Sequence, residues 1–333
     1  MALDPKVEAH QRLVEQLRRS FGQTIMTAFE DEKVVEIMAN PDGKVLIERH
    51  GQGIVQEGVI APQQVQNIIG LVAAWQGTIS NAEKPICEGS LPREFGGARF
   101  EGILPPLSKG PLFAIRLPAR SIYTLTNYVE AGILSNEHEK VTEVVVEEKK
   151  LDKFCTLRRA IELRKNILVS GGTGSGKTTL LNAILQYISE ISDLDQRVVT
   201  IEDTGELQCT APNFVDLLTD DTANVDMTRL LKATMRLRPD RIVVGEVRDG
   251  SALALLKAWN TGHPGGAATV HANNPQAALL RLDQLCQEAG VPSQKELIEE
   301  AVDIVIQIQR DKSHPAGRRI TSMWDVKKRE EIV

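Results

Sequence analysis

One loop constrains the fold of this chain more than any other stretch, because it matches a phosphate-binding pattern. Residues 171–178 read GGTGSGKT, which fits G-x-x-x-x-G-K-[ST]. A short apolar segment precedes the loop at residues 166–170, and residues 179–188 follow with the apolar spacing of a helix. A strand, a glycine-rich loop and a helix in this order form a P-loop, whose backbone N–H groups surround a phosphate chain. The sequence therefore predicts a nucleotide-binding site.

The loop also predicts a role for its polar residues. The Lys177 ammonium is expected to contact the β- and γ-phosphates of ATP, and the Thr178 hydroxyl is expected to ligate Mg²⁺. A glycine-rich turn that matches by chance is the alternative, and the flanking strand and helix disfavour it. The residues predicted to bind the nucleotide are Gly172, Thr173, Gly174, Ser175, Gly176, Lys177, Thr178 and Thr179.

Composition and charge restrict the class of protein. A chain of 333 residues with 42% hydrophobic and 25% charged residues is typical of soluble globular proteins, and two domains are expected. The net charge of −6 gives the protein no overall positive charge that would attract the phosphates of DNA or RNA, so direct nucleic-acid binding is not expected. The longest apolar run, residues 68–75, is far shorter than the ~20 residues that span a bilayer. The N-terminus lacks the features of a signal peptide, so a cytoplasmic location is expected.

The four cysteines are scattered along the chain. No C-x-x-C pair occurs, which argues against a zinc site and, in a reducing compartment, against disulfides. Their positions are Cys87, Cys155, Cys209 and Cys286.

Residues 1–120 predict a small N-terminal α+β domain. Two amphipathic helices are expected at residues 7–21 and 61–75, and turn signals divide residues 34–59 into short β segments. Two more strands are expected at residues 99–104 and 111–117. Residues 121–138 then predict a linker that contains one short helix.

Residues 139–333 predict an α/β domain, because short apolar strands alternate there with helices. Such alternation implies right-handed crossovers and a mostly parallel, doubly wound sheet. Ligands of these sheets bind at the carboxyl ends of the strands, where the P-loop also lies. The expected strands are residues 167–170, 198–201, 242–245, 267–270 and 302–308.

Acidic residues follow two of these strands. Glu202, Asp203 and Glu206 lie after the second strand, where three carboxylates near a phosphate site are costly unless a cation or a water is held. Glu246 follows the third strand at the position of a Walker-B acid, which acts on Mg²⁺ or on the attacking water. The alternative for the residues after the second strand is a solvated acidic turn. The alternative for Glu246 is a carboxylate that only caps the structure. Whether Glu202 or Glu246 orients the water stays open, since both acids end adjacent strands.

Two histidines flank the fourth strand. His263 and His271 lack a nearby third ligand, so a zinc site is rejected. Either histidine is a candidate sensor of the γ-phosphate, and an ordinary core or surface histidine is the alternative.

Together these motifs resemble the secretion and traffic ATPase superfamily of type II and type IV secretion, pili and conjugation. The resemblance rests on the P-loop, on IEDTGE at residues 201–206, on RPDRIVVGEVR at residues 238–248 and on TGH…TVH at residues 261–271. EDTGEL and WNTGHPGG make the chain most similar to the TrbB-type conjugal-transfer ATPases. A looser resemblance covers most of residues 20–120, and the β-branched stretch at residues 142–150 departs from the expected helix.

The resemblance implies a RecA-like ATPase domain, a homohexameric ring and nucleotide bound between the two domains. It also implies arginines supplied by the N-terminal domain or by a neighbouring subunit. Arg99 and Arg116 occupy the matching positions, and Arg120 is a third candidate. A developing γ-phosphoryl charge requires such cations beyond Lys177 and Mg²⁺.

The predicted function is Mg²⁺-dependent ATP hydrolysis that powers conjugative transfer or type IV secretion. The implied partners are inner-membrane components of such an apparatus, and the basic tracts at residues 318–319 and 327–329 leave peripheral contact with anionic lipid open. The alternatives are a pilus-retraction or type II secretion motor, a nucleotide-gated scaffold that does not hydrolyse ATP, and a small-molecule kinase. The full acidic set counts against the scaffold, and the acidic and histidine motifs count against the kinase.

Overall fold

The structure is a computed structural model that describes residues 5–50, 52–118, 123–134, 153–220 and 223–332. The chain divides into two compact units, Met1–Ser121 and Ile122–Val333. Residues 139–150, where the sequence places the start of the second domain, lie outside the described residues, as does Arg120.

The first unit is an antiparallel six-stranded sheet with two helices. Its strand order is β3-β2-β1-β6-β5-β4. The first helix is longer than predicted and bends at Gly22, where φ is 71°. One strand, β4, was not predicted from the sequence. The elements are α1 (Pro5–Glu30), β1 (Val34–Ala39), β2 (Lys44–Arg49), β3 (Gly53–Val59), α2 (Pro62–Trp75), β4 (Ile86–Ser90), β5 (Arg99–Ile103) and β6 (Leu112–Arg116).

The second unit is built on an eight-stranded sheet of order β14-β13-β12-β7-β11-β10-β8-β9. The six strands from β12 to β9 run parallel, and β13 and β14 are antiparallel additions at one edge. The elements are α3 (Leu125–Glu130), α4 (Lys153–Glu162), β7 (Ile167–Ser170), α5 (Lys177–Ile191), β8 (Val198–Glu202), β9 (Phe214–Leu218), α6 (Met227–Thr234), β10 (Arg241–Val244), α7 (Ser251–Asn260), β11 (Ala267–Val270), α8 (Pro275–Glu288), α9 (Lys295–Ala301), β12 (Ile304–Arg310), β13 (Arg318–Asp325) and β14 (Glu330–Glu331).

Helices cover both faces of this second sheet. Neighbouring residues of one strand pack into different cores: Leu168 joins the core of α7 and α8, while Val169 joins the core of α4 and α5. Because both faces of the central strands are buried, these strands are largely apolar, which explains their nearly continuous hydrophobic runs. The observed sheet agrees with the mostly parallel, doubly wound prediction.

Two parts of the second unit differ from the sequence interpretation. The helix α3 was assigned to a linker, but Leu125 and Tyr128 are buried in the core of the second unit. The sequence does not predict the strands β9, β13 and β14, because they lie at or next to the sheet edges, are only partly covered and carry no continuous apolar run. In the described part of the chain, no helix is long and apolar enough to cross a membrane.

Candidate nucleotide-binding site

The P-loop connects β7 to α5 at the carboxyl end of the sheet. Gly174 and Gly176 adopt left-handed φ angles of 65° and 100°, which favour glycine. Gly171 is required for space, because a Cβ atom there would lie 2.5 Å from Ser175 Oγ. The loop conformation therefore depends on its glycines.

Three predicted residues from three strand ends meet beside the loop. Lys177 is buried, and its Nζ donates to Gly172 O at 3.1 Å. The same Nζ lies 3.2 Å from His271 Nδ1 and 3.3 Å from Nε2. His271 Nε2 in turn lies 2.8 Å from Glu246 Oε1. The structure thus joins Lys177, His271 and Glu246 into one row of side chains.

Glu246 retains an available acceptor. Its Oε1 is buried and forms no hydrogen bond of ordinary geometry, although His271 is within ion-pair distance. A buried carboxylate oxygen that lacks a hydrogen-bond donor is costly. This oxygen is therefore suited to accept from a water or to approach a cation.

Contacts between strand ends hold these residues in place. Thr269 Oγ1 donates to Gly245 O at 2.7 Å, and Val247 N donates to Thr269 O at 2.9 Å. These bonds join the end of β11 to the segment that carries Glu246. Gln307, buried in β12, donates to Ala272 O at 3.2 Å and accepts from the Ser170 hydroxyl. The P-loop strand is thereby tied to the segment that follows His271.

Glu202 has a different environment from Glu246. Its buried carboxylate accepts hydrogen bonds from the backbone N–H of Glu206 at 3.0 Å and of Leu207 at 2.9 and 3.1 Å. Gly245 provides space for it, since a Cβ there would lie 3.1 Å from Glu202 Cγ. Both oxygens of Glu202 are therefore engaged in shaping the acidic loop, residues 202–206.

Asp203 and the backbone of the acidic loop form further contacts. Asp203 accepts from Thr219 Oγ1 at 3.0 Å and forms an ion pair with Arg248. Asn182, buried in the P-loop helix, donates to Glu206 O at 3.0 Å and accepts from Gln208 N at 2.9 Å. Arg248 thus balances the charge of Asp203 in this loop.

The two histidines are separated by the strand between them. His263 precedes β11, and its Nδ1 lies 3.3 Å from Ala258 O, whereas His271 follows β11 beside the P-loop. Of the two histidines, His271 is therefore the one that lies at the P-loop.

The segment around His263 lies at the amino ends of the strands, whereas the P-loop lies at their carboxyl ends. Residues at the amino ends of β7 and β10 hold this segment. Asn166 Oδ1 accepts from Gly265 N at 2.8 Å and from Gly266 N at 3.0 Å. Buried Arg241 donates to Gly265 O at 3.1 Å. Burial lowers the pKa of Arg241 to about 10, so the guanidinium remains protonated near neutral pH. These contacts stabilise the backbone of residues 265–266.

The two predicted arginines lie in the first unit. Arg99 on β5 and Arg116 on β6 are directly paired residues of the antiparallel ladder. The P-loop lies in the second unit. Their catalytic role stays a prediction.

Sequence reasoning missed several residues of the site. Asn182 and Gln307 position the acidic loop and the P-loop strand through the contacts above, and Arg310 Nε donates to Gly174 O at 2.8 Å. Gln307 had a signal, since it is a polar residue inside the apolar strand β12. Asn182 and Arg310 had none, because their partners are distant in the chain.

Comparisons with known proteins assign the chain to a family. Residues 106–329 match the model of the family described as "Type II/IV secretion system protein". The chain belongs to this family. Among its relatives, a conjugal transfer protein TrbB from Rhizobium radiobacter is 48% identical over 315 residues, which cover 95% of this chain and 90% of the relative.

A type IV secretion system protein VirB11 from Bartonella henselae is 31% identical and covers 86% of this chain and 88% of its own. The solved structure of the pilus retraction motor PilT with bound ADP aligns with a TM-score of 0.60 at 19% identity, over 90% of this chain and 80% of that one. This likeness concerns the fold. As a member of the type II/IV secretion family with a P-loop, the chain is an ATPase of the conjugation and type IV secretion class.

Proposed function

We propose that this chain hydrolyses ATP at the P-loop of a RecA-like domain and that turnover powers conjugative transfer or type IV secretion. The observation that carries the proposal is the row Lys177–His271–Glu246, which joins a phosphate-binding cation to a buried carboxylate. The similarity to a conjugal transfer protein over most of the chain favours conjugation over a pilus-retraction or type II secretion motor.

The contacts of Lys177 suit a residue that changes partner when ATP binds. Its ammonium donates to a neutral carbonyl and faces an imidazole, and both are weaker partners than a phosphate oxygen. His271 then remains beside Glu246 and next to the γ-phosphate, where its imidazole can respond to the transferred group.

Glu246 is the proposed acceptor for the attacking water. Its Oε1 lacks a hydrogen-bond donor, so a water can donate to it and present its lone pair to the γ-phosphorus. The water oxygen forms the new P–O bond, the bond to the β–γ bridging oxygen breaks, and the products are ADP and phosphate. Glu202 is instead proposed as the anchor of the acidic loop, because its two oxygens already accept backbone N–H groups.

The residues of the proposed ATP site are suited to hold Mg²⁺. Among the described residues, no group of three or more His, Cys, Asp or Glu side chains could hold a metal ion. Mg²⁺ in nucleotide sites does not need such a group, because phosphates and waters supply most of its ligands. The Thr178 hydroxyl and the Glu246 carboxylate are the proposed protein ligands. The ion would neutralise phosphate charge in the ATP complex.

The proposed assembly is a homohexameric ring in which Arg99 or Arg116 reaches nucleotide in its own or a neighbouring subunit. Inner-membrane components of a secretion apparatus are the proposed partners, and the similarity to a type IV secretion system protein supports this proposal. Direct binding of lipid through the basic tracts is less favoured. The side chains of Arg319, Lys327 and Arg329 pair with carboxylates of the chain at 3.1, 2.8 and 2.8 Å.

The test is phosphate release by the Lys177→Ala variant. We expect hydrolysis to be lost and ATP affinity to fall, because the cation facing the β- and γ-phosphates is removed. Lys232→Ala, which removes an exposed lysine of α6, is the matched control and should hydrolyse ATP at the normal rate. Normal turnover in a folded Lys177→Ala variant would overturn the proposal. Wild-type protein that binds ATP without releasing phosphate would indicate a nucleotide-gated scaffold, and phosphate found on an acceptor would indicate a kinase.

A further inference from the structure

The side chain of Gln307 joins three strands at the carboxyl end of the second sheet. The strand order there is β12-β7-β11, so β7, which leads into the P-loop, lies between the strand of Gln307 and the strand that precedes His271. Gln307 Nε2 donates to Ala272 O at 3.2 Å, and its Oε1 accepts from the hydroxyl of Ser170, the last residue of β7. One amide group therefore contacts both the residue before the P-loop and the residue after His271.

Both ends of this amide are fixed by their partners. Gln307 and Ser170 are paired residues of the parallel ladder, and only 1% and 0% of their surfaces are exposed. A backbone carbonyl can only accept, so the amide NH₂ must face Ala272 and the amide oxygen must face the serine hydroxyl. A buried polar network whose members are all satisfied fixes one arrangement of the groups that it joins. The amide thus sets the spacing between the end of β7 and residue 272.

Two further contacts hold β12 against the same parts of the site. Gln309 Nε2 donates to Asn273 O at 3.2 Å, one residue beyond the carbonyl that Gln307 holds. A Cβ atom on Gly171, the first residue of the P-loop, would collide with Ile308 O. β12 therefore lies directly against both the P-loop and the segment that follows β11.

The segment that follows β11 carries one member of the row at the nucleotide site. His271 directly precedes Ala272, and its Nδ1 lies 3.2 Å from Lys177 Nζ while its Nε2 lies 2.8 Å from Glu246 Oε1. A misplacement of about 1 Å can lower a rate by about 10²-fold, even when the substitution is far from the reacting atoms. The spacing between residue 272 and the P-loop therefore bears on hydrolysis.

We infer that Gln307 is a positioning residue for hydrolysis, which holds His271 at the distance from the P-loop that the row requires. The inference rests on the proposed ATP function and adds a residue that lies outside all of the sequence motifs. Gln307 acts through Ala272 and Ser170 and not on the nucleotide itself. Its loss should therefore lower turnover and leave nucleotide affinity unchanged, because Lys177 and the N–H groups of the P-loop remain.

The experiment measures phosphate release, ADP affinity and thermal unfolding, with turnover compared at a temperature where all variants are folded. Gln307→Leu removes the bond to Ala272 O and leaves the Ser170 hydroxyl without its acceptor. We expect a lower melting temperature, unchanged ADP affinity and turnover reduced by about ten- to hundredfold. Asp303→Asn is the matched control, because it removes contacts at the amino end of the same strand. It should melt earlier than the wild type and hydrolyse ATP at the normal rate.

A double variant separates positioning from stability. Ser170→Ala/Gln307→Leu replaces both partners by apolar groups, so no buried hydroxyl is left unsatisfied and the melting temperature should rise above that of Gln307→Leu. Turnover should stay low, because the bond to Ala272 O is still missing. Turnover that returns together with the melting temperature would overturn the inference, as would normal turnover in Gln307→Leu or a matching loss in Asp303→Asn. If Gln307→Leu does not fold, the double variant is compared directly with the wild type, and normal turnover overturns the inference.

Gln307→Glu adds a pH-dependent measurement. A protonated carboxyl group can donate to Ala272 O and accept from Ser170, whereas an ionised one has no donor. Burial favours the neutral form, so turnover relative to wild type should rise as the pH is lowered from about 8 to about 6. Division by the wild-type rate removes the titration of His271 and Glu246, and the ratio for Gln307→Leu should stay constant. A reduced but constant ratio for Gln307→Glu would count against positioning, whereas wild-type protein that releases no phosphate would overturn the proposed function instead.

Discussion

Replacing each of two glutamates by glutamine should separate the anchor of the acidic loop from the acid that acts on water. Glu202 accepts three short backbone contacts through both oxygens, and Glu246 has an oxygen without a hydrogen-bond donor. Glutamine has nearly the same size as glutamate but loses the charge and one acceptor. Its amide group also places N–H donors against backbone N–H donors at position 202.

The magnitude for Glu202→Gln follows from the contacts that are lost. A hydrogen bond to a charged group contributes about 1.5–3 kcal/mol, and a buried group left unsatisfied adds a further cost. We expect a loss of about 2–4 kcal/mol in the free energy of unfolding. For a unit of this size that corresponds to a melting temperature lower by about 5–15 °C. Glu246→Gln loses no such bond, and its amide can donate to His271, so its melting temperature should change by about 2 °C or less.

The assay combines thermal unfolding without nucleotide with steady-state phosphate release at a temperature where both variants are folded. Glu246→Gln should bind ATP and lose turnover by about 10²-fold or more. Glu190→Gln, which removes an exposed carboxylate from α5, is the control and should match wild type in both measurements. The reasoning is refuted if Glu202→Gln melts as wild type does but loses turnover, while Glu246→Gln still hydrolyses ATP.

Two other predictions concern a buried ion pair and the arginines of the first unit. Burial acts to raise the pKa of Asp303, but hydrogen bonds from Lys327, the backbone N–H of Asn166 and Lys165 outweigh it and hold the pKa below 3.8. A carboxyl group whose pKa is lower in the folded than in the unfolded state stabilises the fold at pH values above its unfolded pKa. This stabilisation is lost as the pH falls through the folded pKa. The difference in urea midpoint between wild type and Asp303→Asn should therefore be constant near neutral pH and shrink below about pH 4; a constant difference down to pH 3 would contradict this. For the arginines, Lys177→Ala subunits mixed with subunits of an Arg99→Ala or Arg116→Ala variant should regain ATPase activity above the sum of the two preparations. Confirmed co-assembly without this gain would show that neither arginine acts in a neighbouring subunit.

Local patterns in the sequence determined the P-loop, the positions of five parallel strands along the chain and the acids at their ends. These features depend on residues close together in the chain: glycines that permit left-handed φ angles, apolar runs that need burial on both faces, and polar residues directly after them. Since carboxyl ends of parallel strands share one edge of the sheet, the meeting of Lys177, Glu246 and His271 followed from topology alone.

Only the tertiary structure distinguishes residues that the sequence pattern makes equivalent. Glu202 and Glu246 both end apolar strands, and only their surroundings distinguish them: backbone N–H groups close on Glu202, while one oxygen of Glu246 has no donor. Arg310 carries no motif, because its contact with the P-loop depends on the pairing of β12 with β7. Long-range pairing brings together residues more than 130 positions apart, and no local propensity encodes that distance.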